Sequence, residues 1–229
     1  MHRRTTTEWM AASIVVALVI VFIVRVGATP GEKLGVALRA TARWSFLLFW
    51  LAYAGGALAT LFGPKFQALA LRGRDFGLSF ASAHLVHLSL VARLYQVSPS
   101  PPPQSSLIYF GIAAIFTYVL AILSVKRLSA RLNPKVWRTV RTLGVEYIAL
   151  VFLTDFAKIS FQSGFLDLVN YLPFLALAIA GPILRLAALV KRWLKNRQRK
   201  NMPERSPSAH TARYNTVDAP VAERYTQRT

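Results

Sequence analysis

At 229 residues the chain has room for one domain, 54% of it is hydrophobic, and 28 Lys and Arg stand against 9 Asp and Glu for a formal charge of +19. A nucleic-acid binder gathers such charge on a soluble face, whereas here the cations lie in short stretches between uncharged apolar runs, which excludes nucleic acid as the partner. The absence of cysteine excludes disulfide frameworks, thiolate zinc sites and iron–sulfur clusters together.

An α-helix rises about 1.5 Å per residue, so about 20 mostly apolar residues cross roughly 30 Å of hydrocarbon. Runs of that kind predict spans at 9–26, 44–62, 76–95 and 105–125, with no Asp, Glu, Lys or Arg in their hydrophobic centres. A fifth span, 140–159, has its apolar centre at 147–154 but carries Glu146 and Asp155, with Lys158 one turn further on. The sixth, 168–189, is uncharged from 168 to 184 and contains Pro173 and Pro182. Those prolines are expected to kink it where neighbouring helices re-satisfy the freed carbonyls. The expected fold is therefore all-α, a polytopic membrane helix bundle of about six transmembrane helices over 1–195. Residues 196–229 lose apolar periodicity and read as a disordered basic cytoplasmic tail. The first run also fits a secretory signal peptide, with Val26-Gly27-Ala28 as the cleavage site.

Helix-breaking residues fall between the spans, at Thr29-Pro30-Gly31, Gly63-Pro64, the Ser98 to Pro103 stretch and Asn133-Pro134. Basic residues near membrane ends favour the cytoplasm. Arg3 and Arg4, then Lys65, Arg72 and Arg74, then the cluster from Lys126 to Arg141, then that from Lys191 to Lys200 fall on one side, against Arg25, Lys33, Arg39 and Arg43 in the first connector, Arg93 near the second and Lys158 near the third on the other. The expected location is the cell membrane, with the lipid bilayer as first partner and both termini cytoplasmic.

Inside the spans, His84 and His87 lie three apart, on adjoining positions of one helical face, near mid-bilayer. Imidazole is a good axial ligand for haem iron. A neutral intramembrane histidine also does well with a Ser, Thr or carbonyl on the next helix, and spacing alone favours that blander account.

The stretch from Arg72 through Arg74, Gly77-Leu78 and Phe80 to His84 and His87 resembles the ferric-reductase-like transmembrane domain family. Its nearest branch is the haem-binding membrane subunit of the bacterial methionine-sulfoxide reductase system. That family has a basic pair before a Gly-Leu and a haem-ligating histidine ten residues after the glycine, a spacing that Gly77 and His87 match. Gly31-Glu32, Ala37-Leu38-Arg39 and Trp137 at the start of the fifth helix are similar as well. The resemblance implies transmembrane electron transfer through a b-type haem on the third helix, with His87 as iron ligand and His84 second. A flavin or nicotinamide domain does not fit in the remaining tail, so electrons would come from a separate redox partner or subunit.

The sequence also departs from the family. Histidines expected four residues after the tryptophan of the fifth helix, and again about thirteen later, are here Arg141 and Thr154, with Asp155 adjacent. Guanidinium has no free lone pair, and hydroxyl or carboxylate oxygens do not make a bis-imidazole site. Two imidazoles at i and i+3 of one helix cannot clamp opposite faces of one haem. Three outcomes stay open: haem on His87 with a different or absent second ligand, a site unlike the family's, or a cofactor-free subunit or scaffold that kept the fold. A small ion or proton transporter using Glu146 and Asp155 is a further class, although Asp155 with Lys158, and Glu146 with Arg141 or Arg138, also make plain local pairs. Gly55-Gly56 is expected to admit a close neighbour, Trp9, Trp44 and Trp137 to anchor at interfaces, and Trp50 to face lipid or another helix.

Overall fold

The computed structural model describes residues 5–27, 33–99, 103–124, 133–162 and 165–201. Its contacts divide the chain into Met1–Lys191 and Arg192–Thr229. Every regular element among the described residues is helical, in keeping with the all-α expectation. They are α1 (Thr6–Gly27), α2 (Lys33–Phe62), a 3-10 turn at Pro64–Phe66, α3 (Gln67–Leu71), α4 (Gly73–Val97), α5 (Gln104–Leu123), α6 (Pro134–Gln162) and α7 (Phe165–Asn201).

Five helices are long and apolar enough to cross a bilayer: α1, α2, α4, α5 and, over Val169–Arg199, α7. With 29 residues α6 has the length, but its composition, with Arg138, Arg141, Glu146, Asp155 and Lys158, keeps it out of that set. The six spans read from sequence thus correspond to five helices of membrane-crossing composition and a sixth of sufficient length.

In the first unit α2 is the central element. It packs along α4, with α1 against both, while α3 folds back onto α2 and α5 pairs with α6. The sequence explains this centrality, because α2 buries small residues beside large rings: Ala54 and Ser45 are fully buried with Phe46, Phe49 and Tyr53. An aromatic seam joins the helices. Phe46 meets Phe156 of α6 edge-on at 4.8 Å and Phe174 of α7 at 6.3 Å. Phe49 meets Phe80 of α4 at 5.3 Å and Phe152 of α6 at 5.5 Å. Such ring pairs add about 0.5–1.5 kcal/mol each beyond area burial. The outer faces are apolar too: Phe22 and Ile23 on α1, Ile108, Ile115 and Ile122 on α5, and Ile183 and Leu186 on α7 are exposed. Large apolar side chains exposed along whole helix faces suit contact with acyl chains.

Several helix boundaries differ from the expected spans. α2 begins at Lys33 rather than at 44, so Arg39 and Arg43 belong to the helix and not to a connector. Arg43 lies 4.2 Å over the Tyr171 ring and 5.3 Å from that of Phe174, which gives its cation an aromatic face inside the bundle. The last helix passes through Pro173 and Pro182 and runs to Asn201, beyond the expected start of the tail at 196. In the second unit, the described residues are helical and the Arg197 guanidinium sits 5.2 Å over the Trp193 ring. The expected tail from 202 on, His2, His210, Arg3, Arg4, Thr29-Pro30-Gly31, Glu32, Lys126, Arg127 and Arg131 lie outside the described residues.

The predicted break at Gly63-Pro64 ends α2. Gly63 has φ +83°, a left-handed conformation that favours glycine, and Pro64 then opens the 3-10 turn. The Gly55-Gly56 pair divides in two. A side chain on Gly55 would meet the backbone carbonyl of Leu69 at 3.2 Å, whereas one on Gly56 would meet nothing within 4 Å. The close neighbour is therefore α3, admitted by Gly55 alone.

Candidate functional site

His84 and His87 flank the midpoint of α4. Their helical spacing of three places the rings side by side, with centroids 5.4 Å apart and planes 22° from parallel. Phe80 packs against His84 at 5.4 Å, and Tyr118 of α5 approaches it at 6.5 Å. Toward α2, His87 Nδ1 lies 3.1 Å from Oγ1 of Thr41, which is fully buried.

Thr41 is itself bonded within α2. Its hydroxyl donates to the Ala37 carbonyl at 2.8 Å, with Leu38 O at 3.2 Å, the usual back-bond of a helical threonine. Either Oγ1 or Nδ1 can donate in the Thr41–His87 contact, and the Leu38 backbone is a further hydrogen-bond partner of His87. A histidine held through one nitrogen by a neighbouring oxygen presents the other in a fixed direction, as metal-ligating histidines do. Nδ1 of His84 is buried with no hydrogen-bond partner among the described residues, an arrangement uncommon for a polar atom in a protein interior.

Side by side on one helix, the two imidazoles do not suit the two opposite axial positions of one haem. The imidazoles project from the same side of one helix. Thr154, at one of the family's histidine places, has its Oγ1 held by Tyr109 Oη at 2.7 Å and by the Leu150 and Val151 carbonyls at 3.0 Å. Arg141, at the other, lines a cavity that neither histidine reaches.

A second polar cluster joins three helices. Tyr53 of α2 donates to Glu146 Oε2 on α6 at 2.6 Å, and Arg185 of α7 holds Oε1 at 2.9 Å. The Arg185 guanidinium also lies 4.4 Å over the Tyr53 ring. Glu146 therefore pairs with Arg185 and not with Arg141 or Arg138 as expected, and the Lys158 charge acts on Asp155 without a salt bridge between them. A carboxylate bound by both a guanidinium and a phenol is a tie between helices, and it stands apart from Asp155 rather than forming a relay with it. One turn from Arg185, Gly181 lets Tyr53 approach: a Cβ there would stand 3.0 Å from its ring. Trp50 is spent on a neighbour and not on lipid, donating to the Leu177 carbonyl at 2.8 Å.

Sequence reading found the two histidines and Glu146 but missed Thr41, Tyr53 and Arg185. Only Arg185 left a local signal, as a cation within the sixth expected span. No protein-family model, curated protein or solved structure matches the chain.

Proposed function

We propose that this chain is a six-span membrane protein of ferric-reductase-like type that carries electrons within the bilayer, with a b-type haem held by Nε2 of His87. The observation that carries the reading is the Thr41–His87 hydrogen bond, which ties one ring nitrogen of a part-buried imidazole to α2. The unpartnered Nδ1 of the neighbouring His84 adds to it. In this reading α6 is the sixth span, with Glu146 neutralised by Arg185, and the basic connectors put both termini in the cytoplasm.

Bound haem supplies reversible one-electron chemistry at iron, its potential set by axial ligand and surroundings. Thr41 orients the ligand, and the Phe80 and Tyr118 rings beside His84 keep its surroundings largely apolar. Donor and acceptor are separate proteins or a membrane quinone. A second reading, a cofactor-free membrane subunit or scaffold of the same fold, is favoured by the missing second histidine on α6 and α7.

The deciding measurement is the absorption spectrum of full-length protein, produced with added haem precursor and purified in detergent, before and after dithionite. Electron transfer predicts a Soret band that shifts on reduction and is lost in His87→Ala. A colourless, monodisperse preparation removes the redox reading in favour of the scaffold.

A further inference from the structure

Between α2, α4, α5, α6 and α7 lies a cavity of about 620 Å³, separate from the histidine pair. Its chemistry is divided. Phe49, Phe80, Leu120 and Val145 give it apolar walls, while Arg74, Arg138, Arg141 and Arg185 give it four guanidinium groups and no carboxylate. Glu146 neutralises Arg185 from outside the lining. Arg74 uses Nε on the Ser124 carbonyl at 3.0 Å, and its two terminal nitrogens have no hydrogen bond among the described residues. Arg138 and Arg141, three apart on α6, have no ion pair or hydrogen bond among the described residues. Three uncompensated cations around one cavity repel one another, and an anion between them turns that repulsion into attraction.

We infer that this cavity binds the headgroup of an anionic phospholipid, with Arg74, Arg138 and Arg141 on the phosphate and an acyl chain along the apolar wall. Guanidinium forks match phosphate oxygens, and basic pockets between membrane helices hold anionic headgroups in this way. A free phosphate would satisfy the arginines but leave the apolar wall uncovered, whereas a zwitterionic lipid would bring its own cation into a site that already has three. The inference uses the membrane placement of the bundle and not the haem, so a colourless protein leaves it standing.

The test is a titration of full-length protein in non-ionic detergent, followed by the fluorescence of Trp137, which lines the cavity. Trp137→Phe serves as the blank. The probes are short-chain phosphatidylglycerol, short-chain phosphatidylcholine, glycerol 3-phosphate and inorganic phosphate. Phosphatidylglycerol is expected to saturate the signal at about tenfold lower concentration than any other probe. Arg138→Gln with Arg141→Gln is expected to weaken it by about tenfold, and the charge-keeping Lys pair by much less. Lys195→Gln with Arg197→Gln, distant in sequence, is expected to leave it unchanged. Equal binding of phosphatidylcholine would overturn the inference. So would saturation by either soluble phosphate at the lipid's concentration, or equal loss in the Lys pair or in the Lys195 and Arg197 pair. The comparison of probes on the unaltered protein decides even if the Gln pair does not fold.

Discussion

Thr41 Oγ1 and His87 Nδ1 meet at 3.1 Å across the α2–α4 interface, beside the threonine's own back-bond to Ala37. Replacing the hydroxyl with a methyl, Thr41→Val, removes the partner of a part-buried ring nitrogen and is expected to cost about 1 kcal/mol. Thr41→Ser should restore most of it. Unfolding in a denaturing detergent series measures the loss. In haem-loaded protein, Thr41→Val should also broaden or shift the Soret band, because the imidazole is no longer held to one direction. A Thr41→Val protein as stable as the parent, with an unchanged spectrum, would show that the contact orients nothing.

The Tyr53–Glu146–Arg185 cluster predicts coupling and not transport. Tyr53→Phe, Arg185→Gln and Glu146→Gln should each destabilise the bundle, and pairs of them should cost less than the sum of the singles by roughly 0.5–3 kcal/mol, as residues in one hydrogen-bonded network do. Additive losses measured in the same unfolding series would mean the three groups act separately. Proton flux into proteoliposomes that falls in Glu146→Gln, without loss of folded protein, would instead restore the carboxylate as a transport group.

The two glycines of α2 differ in what they face, so their alanine variants should differ in sign. Gly56→Ala meets open space and should stabilise the helix by roughly 0.5–1 kcal/mol through propensity. Gly55→Ala drives a methyl toward the backbone carbonyl of Leu69 at 3.2 Å, and a backbone yields less readily than the end of a side chain. It should therefore destabilise the packing of α3. Protease protection of the 67–71 segment, compared between the two variants, reads the difference directly.

What the sequence revealed and what it hid follow from the range of each interaction. Uncharged runs of membrane length are local, and the helices they predicted are present, with Gly63-Pro64 breaking the chain where expected. The histidine pair was legible because i and i+3 share a face. Its partner Thr41 was not, because nothing local marks which hydroxyl of α2 will face α4. Glu146 was assigned to cations near it in sequence, yet its ion pair is with Arg185 on another helix. The start of α2 was missed because Arg39 and Arg43 look like connector residues, whereas the aromatic faces of Tyr171 and Phe174 accept Arg43 inside the bundle.

Whether α6 crosses the membrane decides the topology, and the chain's lack of cysteine makes the measurement direct. Val136 is exposed near the start of α6 and Lys158 near its end, so a single cysteine at either place can be labelled without competition. Twenty-two residues separate the two positions, about 33 Å of helix at 1.5 Å per residue, enough to span the hydrocarbon. In intact cells an impermeant maleimide should label Lys158→Cys and leave Val136→Cys unlabelled until the membrane is opened. Ile115→Cys on the exposed apolar face of α5 should resist the reagent in both conditions if that face meets acyl chains. Labelling of both α6 positions from one side would mean that α6 lies along the membrane surface, that five helices cross, and that the two termini lie on opposite faces. The arginines of the cavity would then no longer share a depth with the headgroups on the cytoplasmic side.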